Sequence, residues 1–339
     1  MKRRVIKQGH NTLTITLPHR WVKVNNIGPK DEVNVLQKGL DLIISPQMHH
    51  DLPGRTIRVD ARDMSIPLIW RSVSSAYRAG FTQIDVSFDT SPQSKDIYSA
   101  FSYNTLRYLF DGKKSKLSPL EGIQALVNRL VGVEIVDNTE QNCTIKELAQ
   151  PSQKEFEVTL RRIFMLLLTM AAECREAMEG NKEKLKAIHI IDTNLDRFED
   201  FCLRVLNKKG IIENPHKSHT LYTIVFLLEM LGDEIKKFSI HLLEEETISP
   251  EMTAVFGRIQ KQLERFHKIF YKHDRETTLK IYAEEMKIRK LMKQTISPRT
   301  EAEVEFFYHM KTILRLVRSL TELTIDLHVD NGEEEENGF

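Results

Sequence analysis

The sequence predicts a multidomain, mostly α-helical protein that begins with a small β-rich segment. In the first 50 residues, short stretches alternate apolar and polar side chains, which is the period of a β-strand. Strand and helix patterns then alternate up to about residue 150, as in an α/β unit. From Pro151 onwards apolar residues recur with the helical period and glycine is rare, which predicts a helical bundle.

On this basis we divide the 339 residues into four parts. Residues 1–48 form the β-rich segment, 54–150 a small α/β segment, 151–329 the helical bundle, and 330–339 an acid-rich tail that we expect to be disordered. The pattern gives the α/β segment no chemical role, and we interpret it as a spacer or a dimer-contact module.

The β-rich segment consists of two predicted hairpins around one short helix. Strands are expected at 4–8 and 12–17, a helical turn around Trp21, and a closing hairpin over 33–44. Four short strands and one helical turn cannot bury enough apolar surface alone. The segment therefore requires a partner, most simply a second copy of itself.

The α/β segment carries alternating elements but no recognisable nucleotide-binding motif. The predicted strands are 56–59, 81–88, 132–136 and 143–148, and the predicted helices are 65–79 and 117–131. Residues 91–116 receive no assignment. There is no glycine-rich phosphate loop and no nucleophile elbow. Lys113, Lys114 and Lys116 could meet a phosphate, but a solvated loop is favoured.

The bundle is predicted to contain six helices, with breaks at glycine and proline. Their expected bounds are 153–179, 181–208, 216–246, 250–273, 275–295 and 300–328. Three helices followed by three of comparable length suggest an internal duplication.

Charge and cysteine content limit the function further. Residues 1–50 carry eight basic and three acidic residues, so this segment alone has a field suited to a polyanion. The three cysteines form no CxxC pair, which favours a reduced compartment. The longest apolar run, Ile163–Ala172, is too short to span a bilayer. We expect a soluble, cytoplasmic protein without membrane insertion.

Two neighbouring helices carry acids on shared faces. Helical spacing places Asp192, Asp196 and Glu199 in one sector, and Glu229 and Asp233 one turn apart on the next helix. A carboxylate-lined metal site would explain these repeated like charges. A solvated acidic stripe is the alternative, neutralised by Arg197, Lys236 and Lys237.

Residues 2–46 contain four motifs in order, Arg-Arg-Val-x-Lys-x-Gly, Leu-Thr-Ile-Thr-Leu-Pro, Gly-x-x-x-Asp-Glu-Val and Leu-Ile-Ile-Ser-Pro. In pattern, order and spacing these residues resemble the AbrB/SpoVT family of swapped-hairpin DNA-binding domains. The resemblance implies an interleaved homodimer that binds DNA through basic side chains. By position these are Arg3, Arg4, Lys7, Arg20 and Lys23, with His10 as a further candidate.

The stretch Leu228-Glu229-Met-Leu-Gly232-Asp233 resembles the Leu-Glu-Arg-Ile-Gly-Asp signature of PhoU phosphate-uptake regulators. That family has two three-helix repeats whose acidic motifs hold metal ions. The resemblance implies Asp192, Asp196, Glu229 and Asp233 as ligands here, with Glu199 and Asp200 next to them. Ligands that are all carboxylates favour iron, manganese or magnesium. The glycine is expected to let the helices approach closely.

The second repeat departs from this pattern. Leu314 and Arg318 stand where its signature should have acids, and in the partner helix Arg289 accompanies a single acid, Glu285. We expect one metal cluster only, and the two arginines either pack or form an anion site. Glu264 and His267 have di-iron spacing, but without a second copy a structural role is favoured.

Together the resemblances predict an archaeal-type, DNA-binding transcriptional regulator of phosphate uptake with a PhoU-like metal-binding sensor domain. The alternative is an adaptor that regulates a phosphate transporter ATPase or a kinase by protein–protein contact. A metal-dependent phosphohydrolase would need a nucleophile or base beside the acids. His189 lies three residues before Asp192, but the sequence shows no partner for it and no Ser/His/Asp arrangement beside the acidic helices, and we expect no enzymatic activity.

Overall fold

The computed structural model describes most of the chain, in two compact units that span residues 1–54 and 55–339. The described residues are 3–9, 12–38, 41–46, 54–90, 93–94, 116–208, 215–245, 248–295 and 301–329. His10, Lys113, Lys114, most of the 91–116 stretch and the 330–339 tail lie outside them.

The first unit contains two separate antiparallel hairpins and one short helix. Its elements are β1 (Ile6–Gln8), β2 (Thr12–Thr14), α1 (His19–Val24), β3 (Val33–Lys38) and β4 (Asp41–Pro46). Strand β1 pairs with β2, and β3 with β4. Each predicted hairpin is present, with the first two strands shorter than expected.

The described part of this first unit has no core of its own. Among the residues between 3 and 46 whose exposure is described, none is buried. Leu13, Val24 and Leu42 are apolar, yet 69%, 74% and 64% of their surfaces are exposed. A single copy therefore leaves these apolar side chains exposed, as expected for a segment that cannot bury enough apolar surface alone.

The second unit begins with a four-stranded sheet covered by two helices. The elements are β5 (Thr56–Asp60), α2 (Ile66–Arg78), β6 (Gln83–Ser87), α3 (Pro119–Val127), β9 (Val133–Asn138) and β10 (Asn142–Glu147). The short strands β7 (Gln93–Ser94) and β8 (Lys116–Leu117) pair separately.

The strand order of the larger sheet is β5-β6-β10-β9. Strands β5 and β6 are parallel and joined through α2, while the remaining pairs are antiparallel. Trp70 and Tyr77 of α2 and Ile123 of α3 pack on Ile84 and Ile145 of the sheet. Helix α3 begins with a capping box, in which Ser118 and Glu121 each satisfy a backbone N–H of the other.

Six helices form the remainder of the second unit, and the predicted mostly helical, multidomain fold class is confirmed. They are α4 (Gln153–Met178), α5 (Ile188–Asn207), α6 (Pro215–Glu244), α7 (Pro250–Tyr271), α8 (Arg275–Thr295) and α9 (Glu301–Val329). A 3-10 helix, Lys182–Ala187, precedes α5, so the α-helix begins later than its predicted start at 181. The six helices share one continuous apolar core, which contains Phe164, Phe238, Phe256, Phe266 and Phe306.

The α/β segment is fastened to the bundle through helix α5. The buried Arg204 of α5 donates hydrogen bonds to the carbonyl oxygens of Tyr77 (2.6 Å) and Phe81 (2.9 Å). It also donates to the Glu147 carboxylate at 2.8 Å, and Lys208 reaches the same carboxylate at 2.7 Å. Buried charges are tolerated only when paired and hydrogen-bonded in this way.

Among the helices of the described residues, none combines the length and the apolar character that crossing a bilayer requires.

Candidate functional site

The acids singled out from the sequence come together where α5 packs against α6. Helix α5 contributes Asp192, Asp196, Glu199 and Asp200, and α6 contributes Glu229 and Asp233. We refer to these six residues as the acidic cluster. Asp192, Glu199 and Asp200 are buried, with 1%, 6% and 6% of their surfaces exposed. Asp196, Glu229 and Asp233 are half-buried, so the cluster extends from the interior of the bundle towards its surface and is not a fully solvated stripe.

Gly232 is what allows α6 to approach α5 this closely. A Cβ atom at this position would lie 2.8 Å from Leu195 Cδ1 and 3.3 Å from Leu167 Cδ2. The first distance is shorter than real Cβ contacts, so any other residue here would force the Leu195 side chain to shift, and glycine permits the close contact. The close approach that the sequence predicted for this glycine is confirmed.

Lys236 supplies the positive charge between the two helices. Its buried ammonium group donates to Asp192 Oδ2 at 2.6 Å and lies 2.8 Å from Asp233 Oδ1. Lys236 follows Asp233 by three residues on α6, so both residues share one helix face. The lysine named in the alternative interpretation thus does neutralise part of the cluster, but from inside the bundle.

Two arginines from the α/β segment supply further positive charge beside the acidic cluster. Arg129 Nη2 donates to Asp196 Oδ2 at 3.1 Å. Arg78 Nη1 donates to Asp200 Oδ1 at 2.8 Å and lies 4.0 Å from Glu199 Oε2. Neither arginine was among the sequence-predicted site residues, because both are far away in the chain and belong to a different segment. No local motif marks them.

The other two cations of the alternative interpretation lie elsewhere. Arg197 is exposed on α5. Lys237 pairs with Glu234 at 3.1 Å on its own helix. Among the described residues, the acidic cluster is therefore paired with Lys236, Arg78 and Arg129, and its six carboxylates outnumber these three cations.

Burial and, to a lesser degree, this excess of carboxylates raise the pKa values of Asp192, Asp196, Glu199, Asp200 and Glu229. Burial is the main cause and neighbouring carboxylates add to it; together they raise the pKa of Asp192 to about 7, of Glu229 to about 8 and of Glu199 to about 9. The pKa values of Asp196 and Asp200 are raised mainly by burial, against the opposing effect of Arg129 and Arg78. Without a further cation, the cluster holds protons near neutral pH.

The donor set fits a hard metal ion in its chemistry. All six side chains offer carboxylate oxygens, and Asp192 Oδ1 is buried without a hydrogen-bond partner in the described part of the chain. The oxygens are spread along two helices, however. Within the described ranges, no three of these acids bring ligand atoms within 4.8 Å of one another. An ion would have to draw the carboxylates together and displace Lys236 or a guanidinium group.

The corresponding place in the second three-helix repeat is occupied by ion pairs. Glu285 is buried and accepts a hydrogen bond from Arg289 at 2.7 Å, while Arg318 Nη1 lies 3.9 Å from its other oxygen. Arg318 also pairs with Glu322 at 3.1 Å. Both arginines are thus held by carboxylates, which is the arrangement of a packing repeat.

The Glu264 and His267 pair is also structural. Glu264 is exposed and accepts a hydrogen bond from Gln260, while the His267 ring packs on Phe164 and Tyr271. The two residues make no shared site.

The predicted DNA-contacting residues lie on the first unit. Arg3, Arg4, Lys7, Arg20 and Lys23 are all exposed. Arg3, Arg4 and Lys7 precede or lie in β1, and Arg20 and Lys23 lie in α1. Long exposed cations are suited to phosphate contacts.

Comparison with known proteins finds one matching family model and similar solved structures. Residues 6–50 match the family model described as antidote-toxin recognition MazE, bacterial antitoxin. The crystal structure of PhoU from Pseudomonas aeruginosa is 17% identical, with a TM-score of 0.45 over 52% of this chain and 97% of that one. The crystal structure of the phosphate transport system regulatory protein PhoU from Streptococcus pneumoniae is also 17% identical, with a TM-score of 0.40 over 52% of this chain and 94% of that one. No curated protein sequence matches the chain.

Both resemblances drawn from the sequence motifs are found again in these comparisons. The chain thus has an N-terminal segment that matches the MazE model, followed by a multidomain, mostly helical remainder.

Proposed function

We propose that the protein is a DNA-binding transcriptional regulator of phosphate uptake, active as a dimer. The observation that carries the proposal is the N-terminal match over residues 6–50 together with the exposed cations beside it. Two copies of the first unit would interleave and bury Leu13, Val24 and Leu42, which a single copy exposes. The phosphate part of the proposal rests on the PhoU-like signature at 228–233.

The six-helix bundle would act as the sensor, with the acidic cluster as its metal site. Asp192, Asp196, Glu199, Glu229 and Asp233 are the proposed ligands, for iron, manganese or magnesium. The ion would supply positive charge that now comes from Lys236, Arg78 and Arg129. Its binding requires the carboxylates to be ionised, so it would compete with the protons that their raised pKa values hold.

The route from this cluster to the rest of the protein would run through α5. The helix that carries four of the acids also holds the α/β segment through Arg204 and Lys208. Arg78 and Arg129 come from that segment and contact the acids directly. An ion that released these arginines would change the free energy with which the α/β segment docks on the bundle. A sensor requires an element with two states, and this docking contact would be that element.

Fluorescence anisotropy with a labelled duplex at increasing salt tests DNA binding. The observed constant should fall with a log–log slope of roughly −0.9 per phosphate neutralised. Arg3→Ala with Arg4→Ala should weaken binding and make the slope shallower by about 2. Lys287→Ala with Lys290→Ala, which removes two exposed cations of α8, is the matched control and should leave both unchanged.

A contrary result would point to the alternative function. Binding that is insensitive to salt and to the arginine substitutions would reject direct DNA recognition. An adaptor acting on a transporter ATPase or kinase by protein–protein contact would then be the better account.

The metal assignment has its own test. Protein purified without chelator should contain iron, manganese or magnesium, and Glu229→Gln with Asp233→Asn should lose it. Unchanged metal content in this variant would reject these ligands without affecting the DNA-binding proposal.

A further inference from the structure

We propose that His241, Glu305 and His309 form a second metal site, suited to a transition ion such as Zn²⁺ and separate from the acidic cluster. His241 lies on α6, and Glu305 and His309 lie one turn apart on α9. One nitrogen of each ring and one carboxylate oxygen all lie within 4.8 Å of one another. Among the described residues, no other group of three or more histidine, cysteine or acidic side chains has its ligand atoms this close together.

Each imidazole ring has a carboxylate within hydrogen-bond distance of its Nδ1 atom. His309 Nδ1 lies 2.8 Å from Glu234 Oε2, and His241 Nδ1 lies 3.1 Å from Glu244 Oε2. A neutral ring that donates its Nδ1–H keeps its lone pair on Nε2, the atom that then binds metal. A carboxylate behind a ligating histidine is the usual arrangement around protein-bound zinc.

The remaining distances place the third ligand within reach. His309 Nε2 lies 3.9 Å from Glu305 Oε2, and the two rings stack with centroids 5.6 Å apart. Bond lengths to zinc of about 2.0–2.2 Å require ligand atoms roughly 3.3 Å apart. The Glu305 side chain is 44% exposed and is free to rotate through this small difference.

The chemistry of this site differs from that of the acidic cluster. Two imidazoles and one carboxylate suit zinc or iron(II), whereas ligands that are all carboxylates suit harder ions. His309 is buried on one side and Glu305 is open to solvent on the other, so an ion could enter and keep a bound water. Such an ion would join α6 of the first three-helix repeat to α9 of the second.

Zinc titration of the full-length protein, in competition with a chromophoric chelator, tests this inference. The wild-type protein should bind one equivalent that is lost in His241→Ala and in Glu305→Ala, two partly exposed positions whose replacement leaves the core intact. The thermal midpoint should rise with Zn²⁺ in the wild type and not in these variants. Glu234→Gln, which weakens the contact that orients His309 and also the ion pair with Lys237, should weaken zinc binding by about 10–100-fold, whereas Lys237→Met should leave it unchanged.

Two controls separate this site from others. His328→Ala removes a histidine of the same helix whose ring lies 5.1 Å from that of His273, outside the group of three, and should retain the bound zinc. Asp196→Asn with Glu229→Gln, in the acidic cluster, should retain it as well. Equal zinc binding by the wild type, His241→Ala and Glu305→Ala would overturn the proposal, as would loss of the zinc from the acidic-cluster variant alone.

Discussion

Lys236 and Asp192 form a buried ion pair between α6 and α5, with the ammonium nitrogen 2.6 Å from Asp192 Oδ2. Only 6% and 2% of the two side chains are exposed. The pair lies where the sequence predicted a metal ion between the helices, and the ammonium group supplies positive charge at that place. Its removal therefore separates the structural role of the cluster from the proposed sensing role.

Lys236→Met should lower the free energy of unfolding by about 3–5 kcal/mol when chelator is present, because it leaves Asp192 buried without its partner. Urea unfolding measures the loss. If the cluster binds metal, added Mn²⁺ should restore part of this stability by supplying the missing charge.

The matched control for this change is Lys237→Met, on the same helix. Lys237 is 25% exposed and pairs with Glu234 near the surface, so its loss should cost about 1 kcal/mol or less. Equal losses for the two lysine variants would contradict the assigned role of Lys236.

The acidic cluster should make the metal-free protein less stable as the pH rises. The pKa values of about 7, 8 and 9 for Asp192, Glu229 and Glu199 lie above the value near 4 of an unfolded carboxyl group. The folded protein therefore binds more protons than the unfolded chain across this window. The stability that these groups contribute is complete below about pH 4 and is lost as the pH rises to about 9.

Urea unfolding at several pH values with chelator measures this slope. Glu199→Gln should make it shallower between about pH 7 and pH 9, since each linked proton contributes about 1.4 kcal/mol per pH unit. Glu264→Gln, at an exposed position of α7, should leave the slope unchanged. A Glu199→Gln slope identical to that of the wild type would show that this carboxyl group is ionised throughout.

Gly232→Ala should destabilise the bundle by about 1–3 kcal/mol, because the added methyl group would meet Leu195 Cδ1 at 2.8 Å. Gly257→Ala on α7 is the control. Its Cβ would meet the flexible end of Arg175 at 3.2 Å, and the helical propensity of alanine should offset this contact. Thermal unfolding of both variants checks the difference, and an unchanged midpoint for Gly232→Ala would mean that the helices have room to separate.

Arg204→Met should release the α/β segment from α5. The change removes three buried hydrogen bonds and leaves Glu147 with Lys208 as its remaining partner at this contact, so we expect a loss of about 3–5 kcal/mol. Hydrogen exchange should become faster in α2. The exposed Arg197→Met on the same helix should change stability by less than about 0.5 kcal/mol. Similar exchange in both variants would place the attachment elsewhere.

The sequence predicted the helices and most strands because local periodicity and capping residues determine them. The Ser118 and Ser152 caps, for example, lie within three residues of the acids that complete them. It also predicted which acids share a face of α5 and which share a face of α6, since helical spacing sets those faces; that they bind a metal together stays a prediction.

It could not predict the cations that neutralise those acids. Arg129 is 67 residues from Asp196, and Arg78 is 122 residues from Asp200, so these pairs depend on tertiary packing between segments. The group around His309 was missed for the same reason. Glu305 and His309 are one turn apart and gave a local signal, but His241 comes from another helix.

The central claim is that the paired N-terminal units bind DNA at genes of phosphate uptake. The most direct test is to sequence the genomic DNA fragments that the full-length protein retains, alongside the variant with Ala at Arg3, Arg4, Arg20 and Lys23. The account predicts enrichment of promoters of phosphate transport genes by the wild type and its loss in the variant. Fragments retained without preference, or an identical set retained by the variant, would contradict it.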